Sequence, residues 1–281
     1  MEKPSVSPSN TPVNIGWSKM FAQNEQERAL LATGLSLKEA ASFIGRENEL
    51  SEKHKRRYEL FLKYIRGIAS GEITEPLLLI VGGIPGTGKT TLASELAIRL
   101  GIRITLGGDT LREFLRGIAD EKSHPVLFSG AYEAWKNFSP EPTRDAVVKG
   151  YAEQSRIVNA CVARMLDRCE RDGESVVLEY LHFLPSFLEP QLKFKGAIAM
   201  ALELKSREEH VQRFKTRQRY SHYRSPVERL INNIDKYNAM SEHMVEDARK
   251  HHVPIIESGD FNTAIEQALD IVFAKIEKIV K

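Results

Sequence analysis

The segment from Gly83 to Thr90 constrains the fold of this chain more than any other. It reads Gly-Ile-Pro-Gly-Thr-Gly-Lys-Thr and matches the complete phosphate-binding pattern G-x-x-x-x-G-K-[ST]. The apolar residues 77–81 before it predict a buried parallel strand. After it, apolar residues recur at helical spacing up to Leu100, and Gly101 follows as a C-cap. Because the loop stands between a strand and a helix, it predicts a nucleoside triphosphate site rather than an ordinary glycine-rich turn.

The same loop predicts which residues hold the triphosphate. Its glycines let the backbone wrap the phosphates, and the helix N-terminus adds N–H donors and a partial positive charge. Lys89 can reach the β- and γ-phosphates, and the hydroxyl of Thr90 can ligate Mg²⁺. The predicted nucleotide-binding residues are therefore Gly83, Ile84, Pro85, Gly86, Thr87, Gly88, Lys89, Thr90 and Thr91.

Composition argues against several classes of protein. The 281 residues include 40 basic and 38 acidic side chains, so the net charge of +2 indicates neither a nucleic-acid nor a membrane partner. No apolar run approaches the ~20 residues that a membrane span needs. Cys161 and Cys169 fall in one predicted helix, roughly 12 Å apart, which is too far for a disulfide. Reduced thiols indicate a cytoplasmic protein.

Three regions follow one another along the chain. Residues 1–16 contain three prolines and no apolar signal core, so we expect a disordered tail. Residues 17–72 predict a helical N-terminal extension that is separate from the core. Residues 73–281 alternate strands and helices, which predicts an α/β P-loop NTPase fold with a parallel sheet flanked by helices. The expected strands are 77–82, 103–107, 175–180, 196–204 and 253–257, and the expected helices include 49–69, 109–118, 142–171, one that begins at Ser225-Pro226, and 261–279.

Asp109 and Arg112 follow the second predicted strand. Ligands of open α/β sheets bind beyond the carboxyl ends of the strands, so Asp109 is expected in the same crevice as the phosphate loop. Its carboxylate can accept a hydrogen bond from an acceptor group or hold a Mg²⁺-bound water. Arg112, one helical turn on, can clamp an anionic acceptor. The alternative is that Asp109 only caps helix 109–118.

Glu179 ends the third predicted strand, a position that usually provides the acid that orients Mg²⁺ or water. Thr90 and Glu179 are therefore the predicted metal-site residues. His182 either contacts a phosphate of the acceptor or packs within a loop. Tyr132 and Trp135 lie in a region that either covers the acceptor or is structural.

Basic side chains dominate the segment 205–224. In small kinases such a segment closes as a lid over the triphosphate and steadies the charge on the transferring phosphoryl group. Arg213 and Arg217 share one helix face at i, i+4 and are the first choice for this role. The alternatives are a solvated surface helix and an RNA-binding strip.

Together these segments resemble the archaeal 2-phosphoglycerate kinase family. The resemblance covers residues 75–275 and rests on the phosphate loop and four other segments. These are Gly-Gly-Asp-Thr-Leu-Arg-Glu at 107–113, Ser-Gly-Ala-Tyr-Glu-Ala-Trp at 129–135, Glu-Tyr-Leu-His at 179–182, and the basic residues of 213–219. Residues 27–36 also resemble the N-terminal region of that family, where an ATP-cone module can occur. Two sites depart from the family pattern: Tyr180 replaces a common glycine, and Ser129-Gly130-Ala131 replaces a serine-rich stretch.

The resemblance implies that ATP, with Mg²⁺, phosphorylates 2-phosphoglycerate to 2,3-bisphosphoglycerate. The partner would be a small anionic substrate, which suits Arg112 and the basic segment, rather than nucleic acid or a membrane. Three alternatives stay open: a polynucleotide kinase, a kinase of another metabolite, and a non-catalytic ATP-dependent switch. The predicted catalytic residues are Lys89, Asp109, Arg112, Arg213 and Arg217.

Overall fold

The structure is a computed structural model that describes residues 25–220, 224 and 226–281. The side chains of residues 217–220 are outside that description. The expected tail of residues 1–16, the first residues of the extension, Ser225 and the side chain of Arg217 therefore lie outside the described part of the chain.

A parallel sheet forms the centre of the molecule, as the alternating pattern predicts. Its 5 strands have the order β2-β3-β1-β4-β5, and every pair is parallel. The carboxyl ends of β1, β2 and β3 lie side by side, because Glu179 pairs with both Val81 and Gly107. The strands are β1 (Leu78–Gly82), β2 (Ile104–Gly107), β3 (Val176–Tyr180), β4 (Ala197–Glu203) and β5 (Ile255–Glu257), each within an expected range.

Helices cover both faces of this sheet. The N-terminal helices are α1 (Glu25–Ala32), α2 (Leu37–Phe43) and α3 (Glu52–Ser70), and α2 begins with a capping box between Ser36 and Glu39. Next come α4 (Lys89–Leu100), α5 (Gly108–Ile118), α6 (Pro125–Phe128), a 3₁₀ turn at Ala131–Asn137, and α7 (Arg144–Asp172). The remainder are a 3₁₀ turn at Pro185–Phe187, α8 (Glu189–Leu192), α9 (Arg207–Tyr220), α10 (Val227–Ile231), α11 (Ile234–Lys250) and α12 (Phe261–Val280).

The helix expected from Ser225 onward is two helices. It breaks between α10 and α11, where the Asn233 side chain bonds back to the carbonyl of Arg229 over 2.8 Å. Asparagine favours such local bonds over helix continuation. Pro226 is the N-cap residue of α10 rather than its first helical residue, so the expected start is displaced by one residue.

The long helix α7 runs without a break through Gly150. A Cβ at this position would lie 2.5 Å from the carbonyl carbon of Ala134. Glycine therefore lets α7 touch the backbone of the 3₁₀ turn Ala131–Asn137. Cys161 and Cys169 are both free thiols within α7, as predicted.

Two hydrophobic layers lie on the two faces of the sheet. Strand β1 contributes to both, because its successive side chains point to opposite faces. Leu79 and Val81 face one layer, while Leu78 and Ile80 face the other. The first layer contains side chains of α1, α3, α4 and α12, so the N-terminal helices are part of this core rather than separate from it. Phe61 of α3 is 1% exposed, and burying a side chain of that size is worth ~1.5–3 kcal/mol.

The boundary at residues 72 and 73 and the likeness to an ATP-cone remain predictions. Within the described ranges, no helix has the length and apolar character needed to cross a membrane.

Candidate active site

The phosphate loop connects β1 to α4, as the sequence predicts. Gly86 (φ +87°) and Gly88 (φ +91°) have left-handed backbone, which residues with side chains rarely adopt. A Cβ on Gly86 would also lie 2.8 Å from atoms of the His210 and Phe214 rings. Both positions therefore require glycine, and Gly88 leads into α4 as its N-cap.

Hydrogen bonds within the loop fix its bend. Thr87 is fully buried, and its hydroxyl donates to the carbonyl of Ile84 over 2.9 Å. The N–H of Gly83 donates to the carbonyl of Tyr180 on β3 over 3.3 Å. The loop is thus a preformed bend at the N-terminus of a helix, where the helix dipole favours phosphate.

Lys89 and Glu179 meet beside this loop. Lys89 Nζ lies 3.6 Å from Glu179 Oε2, and the two side chains are 13% and 14% exposed. Burial raises the pKa of the Glu179 carboxyl, whereas Lys89 and the hydroxyl of Thr90 lower it. The cation and the acid are therefore next to each other in a partly dehydrated environment beside the phosphate loop.

The groups around Glu179 fit a magnesium ion. Glu179 Oε2 is buried and accepts no hydrogen bond from the described residues. Thr90 lies in the first turn of α4, and Asp109 is near enough to raise the pKa of Glu179. A hydroxyl and two carboxylates are oxygen ligands of the kind that Mg²⁺ prefers. Among the described residues, no group of three or more His, Cys, Asp or Glu side chains is placed to hold a metal ion.

Asp109 and Arg112 line one cavity together with Lys89. Helix α5 begins at Gly108 with Gly107 as its N-cap, so Asp109 is the second residue of the helix and is not its cap. The capping alternative is wrong because the helix starts one residue earlier than expected. Asp109 still lies in the first turn, where the helix dipole favours a carboxylate.

Arg112 is a half-buried cation at the cavity. Its Nε is buried and has no hydrogen-bond partner in the described part of the chain. Burial lowers the pKa of Arg112, and the neighbouring Arg116 lowers it further. A guanidinium stays protonated in proteins all the same. Helix α5 therefore holds a guanidinium at the cavity wall whose Nε has no hydrogen-bond partner among the described residues.

This cavity, named here the acceptor cavity, has a volume of about 390 Å³. That volume is in the range of sites for small metabolites. The phosphate loop contributes Pro85 and Lys89, so the cavity is contiguous with the predicted triphosphate site. Its other polar or charged lining residues are Asp109, Arg112, Arg116, Tyr132, Glu133, Arg229 and Tyr237, and its apolar lining includes Phe128, Ala131, Leu181, Phe214, Val227 and Leu230.

Sequence reasoning missed two arginines of this cavity. Arg116 donates from Nε to the carbonyl of Leu127 over 2.8 Å and from Nη2 to the carbonyl of Ser129 over 3.0 Å. Its i, i+4 spacing from Arg112 is a signal that would have identified it. Arg229 of α10 lies 6.0 Å from the centre of the Tyr132 ring. No local pattern indicates Arg229, because only the folding of α10 over the cavity brings it there.

The sequence left open whether Tyr132 and Trp135 cover the acceptor or are structural, and the structure places the two side chains differently. Tyr132 lines the acceptor cavity and packs 6.1 Å from the ring of Tyr237. Trp135 is not in that lining, and its indole N–H donates to the carbonyl of Tyr132 over 3.1 Å. Tyr132 thus belongs to the cavity wall, and Trp135 supports it.

His182 packs within the core rather than contacting the cavity. It is 0% exposed, and its Nε2 lies 2.9 Å from Gln154 Oε1. Burial lowers the pKa of His182 to about 3, and the charge of Arg112 acts in the same direction. The imidazole is therefore neutral at physiological pH.

The first part of the basic segment lies directly on the phosphate loop. His210 of α9 donates from Nε2 to the carbonyl of Pro85 over 2.6 Å, and Phe214 is fully buried against Gly86. Arg213 donates to the carbonyls of Thr87, over 3.3 Å, and of Gly259, over 2.8 Å. The guanidinium of Arg213 thus joins the phosphate loop to the segment between β5 and α12.

Comparison with known proteins agrees with this geometry. A family model described as an AAA domain matches residues 78–244. A 2-phosphoglycerate kinase of Methanopyrus kandleri is 30% identical over 231 residues, which cover 82% of this chain and 69% of that protein. A 2-phosphoglycerate kinase of Pyrococcus furiosus is 31% identical over 206 residues, covering 73% and 67%.

A third relative acts on a different substrate. The mevalonate-3-phosphate 5-kinase of Thermoplasma acidophilum is 30% identical over 193 residues, which cover 69% of this chain and 94% of that protein. The fold, the phosphate loop and these similarities agree on a small-molecule kinase. The chain belongs to the archaeal 2-phosphoglycerate kinase family and is a phosphotransferase with a P-loop fold.

Proposed function

We propose that this kinase transfers the γ-phosphoryl group of ATP to the C3 hydroxyl of 2-phosphoglycerate, giving 2,3-bisphosphoglycerate and ADP. The observation that carries the proposal is the acceptor cavity itself, which adjoins Lys89 and carries Arg112, Arg116 and Arg229 in its wall. The substrate has a carboxylate and a phosphate, and such groups are recognised best by arginines.

The arginines differ in what they can offer an anion. Arg116 already donates to two backbone carbonyls and forms an ion pair with Glu113. Arg112 has a buried Nε without a partner among the described residues. We assign Arg112 to the anionic group nearest the reacting hydroxyl, and Arg229 of α10 to the second anionic group.

Asp109 is the proposed group that accepts the proton of the acceptor hydroxyl. It is an exposed carboxylate in the first turn of α5, in the same cavity as Lys89. As the oxygen–phosphorus bond forms, the hydroxyl proton passes to Asp109 and the bond from the γ-phosphorus to the β,γ-bridging oxygen breaks. Lys89 neutralises negative charge on the phosphates during this step.

Magnesium would be held by the hydroxyl of Thr90 and, through water, by Glu179 and Asp109. When bound, the ion neutralises charge on the phosphate oxygens. For the basic segment, we propose that Arg217 reaches the phosphates when the segment closes, whereas Arg213 holds the phosphate loop through its hydrogen bond to the carbonyl of Thr87. The reduced cysteines support the prediction of a cytoplasmic protein.

Mevalonate 3-phosphate is the second candidate acceptor. It too is a phosphorylated acid with a primary hydroxyl, and it carries an additional methyl group. The apolar side of the acceptor cavity, with Leu181, Val227 and Leu230, supports such a substrate. The match that covers 94% of the mevalonate-3-phosphate 5-kinase also favours it.

The test is phosphoryl transfer from γ-labelled ATP with Mg²⁺ to three acceptors in parallel: 2-phosphoglycerate, mevalonate 3-phosphate and a 5′-hydroxyl RNA. We expect label in 2,3-bisphosphoglycerate, identified by ³¹P NMR, and none with the Lys89→Ala variant. Transfer to mevalonate 3-phosphate alone would establish the second candidate. Transfer to RNA alone would establish a polynucleotide kinase, and tight ATP binding without transfer to any acceptor would favour a switch.

A further inference from the structure

A buried polar network on α7 lies behind the acceptor cavity, outside the residues discussed so far as catalytic. Gln154 and Asn159 of α7 are both 0% exposed, as is His182, which follows β3. Burying such groups is costly unless they are hydrogen-bonded. Their partners are therefore informative about what the network is for.

Gln154 holds one wall of the cavity. Its Nε2 donates to the carbonyl of Val126 over 2.6 Å and to the carbonyl of Ser129 over 2.9 Å. Arg116 holds the same stretch from the other side through Leu127 and Ser129. The backbone that leads into the cavity residues Phe128 and Tyr132 is thus fixed by two side chains that belong to different helices.

The other end of the Gln154 amide fixes the strand end that carries Glu179. Because Nε2 donates to two carbonyls, Oε1 is the acceptor, and the proton of His182 is on Nε2, 2.9 Å away. Asn159 Nδ2 donates to the carbonyl of His182 over 2.6 Å, and its Oδ1 accepts from the hydroxyl of Tyr180 over 2.8 Å. Residues 180–182, which follow Glu179 directly, are therefore fastened to α7.

We propose that Gln154 and His182 are positioning residues that set the distance between the acceptor wall at Val126–Ser129 and the strand end at Glu179. Neither side chain touches the substrate in this proposal. A single buried amide links the two sides of the reaction: the wall that receives the acceptor and the acid beside Lys89. The proposal rests on the proposed function only in that the cavity takes an acceptor.

Three variants test it by kinetics. Gln154→Leu removes both links, and His182→Leu removes the donor to Gln154. His182→Gln places an amide N–H near the position of Nε2 and should restore the link. We expect Gln154→Leu and His182→Leu to raise the acceptor KM about tenfold or more, the scale of a lost buried hydrogen bond. The Kd of ATP should change less than twofold, and His182→Gln should recover most of the acceptor KM.

Val162→Ala is the matched stability control. Val162 is a fully buried residue of the same helix, in its apolar face. It should lower Tm without a change in the acceptor KM. The proposal is overturned if both leucine variants fold and keep the wild-type acceptor KM, or if Val162→Ala raises that KM as much as they do.

A readout independent of turnover separates this proposal from the proposed function. Trp135 supports Tyr132, so its emission reports the position of the wall; in a Trp17→Phe background it is the remaining tryptophan. We expect Gln154→Leu to shift this emission and His182→Gln to leave it at the wild-type wavelength. An unchanged emission in Gln154→Leu would refute the positioning role. Absence of turnover in the wild type with every acceptor would refute the proposed function alone.

Discussion

Replacing Arg112 by methionine is expected to separate activity from stability. The guanidinium lies at the wall of the acceptor cavity, and its Nε has no partner among the described residues. A charge-assisted hydrogen bond to a carboxylate or phosphate is worth about 1.5–3 kcal/mol. Since ~1.4 kcal/mol corresponds to a factor of ten in binding, the acceptor KM should rise about 10- to 100-fold.

The expected effect of the same variant on stability has the opposite sign. Burial lowers the pKa of Arg112, which means that the fold disfavours its charged form. Methionine is unbranched, reaches about as far as the Nε of arginine and carries no charge, so Arg112→Met should unfold at the wild-type Tm or above it. Arg112→Lys is the matched variant: it keeps the charge but loses the fork of donors, and its acceptor KM should lie between the other two.

The assay combines steady-state kinetics at saturating ATP with thermal unfolding of the three proteins. ATP affinity, measured without acceptor, should be the same in all of them. Arg112 does not bind the acceptor if Arg112→Met keeps the wild-type acceptor KM, or if it loses activity only in proportion to a lowered Tm.

Four further variants probe the remaining groups. Asp109→Asn keeps the shape of the side chain but cannot accept a proton, so kcat should fall roughly 100-fold or more while ATP affinity stays unchanged; equal kcat in stopped-assay kinetics would remove Asp109 from the mechanism. Glu179→Gln should raise Tm at pH 7, because burial raises the pKa of Glu179 and the fold therefore favours its neutral form; this gain should shrink as the pH falls toward 4, and a gain that grows at low pH would contradict the assignment. Gly86→Ala should abolish ATP binding in calorimetry, because a Cβ would meet His210 and Phe214 at 2.8 Å in a left-handed backbone; normal binding would show that the loop can rearrange. Arg217→Ala should lower kcat far more than ATP affinity; salt-sensitive RNA binding with unchanged kcat would instead favour an RNA-binding strip.

The fold was predictable where the spacing of apolar residues and the positions of turn-forming glycines agree. The apolar run 77–81, the glycine loop and Gly101 define β1, the phosphate loop and α4 within one or two residues. Asn233 illustrates what the periodicity missed, because the break there follows from a side chain that bonds its own backbone. The helix expected over 142–171 is continuous through Gly150, whose lack of a side chain lets α7 approach Ala134.

The candidate site was predictable where residues lie at the carboxyl ends of strands. Glu179 lies beside Lys89 because adjacent parallel strands end at the same edge of the sheet. Arg229 and Gln154 were not predictable, because their positions depend on how α10 and α7 fold over the cavity. The N-terminal helices were expected to be separate from the core, since an amphipathic helix does not indicate which surface it covers; here α3 packs against α12.

The proposed function is tested most directly by a crystal structure with a non-hydrolysable ATP analogue, Mg²⁺ and 2-phosphoglycerate. We expect the triphosphate to lie on the phosphate loop with its γ-phosphate at Lys89. We expect 2-phosphoglycerate to lie in the acceptor cavity, with one anionic group at Arg112 and its C3 hydroxyl within hydrogen-bond distance of Asp109. An acceptor bound elsewhere, or in this cavity with its hydroxyl directed away from the γ-phosphate, would refute the proposed function.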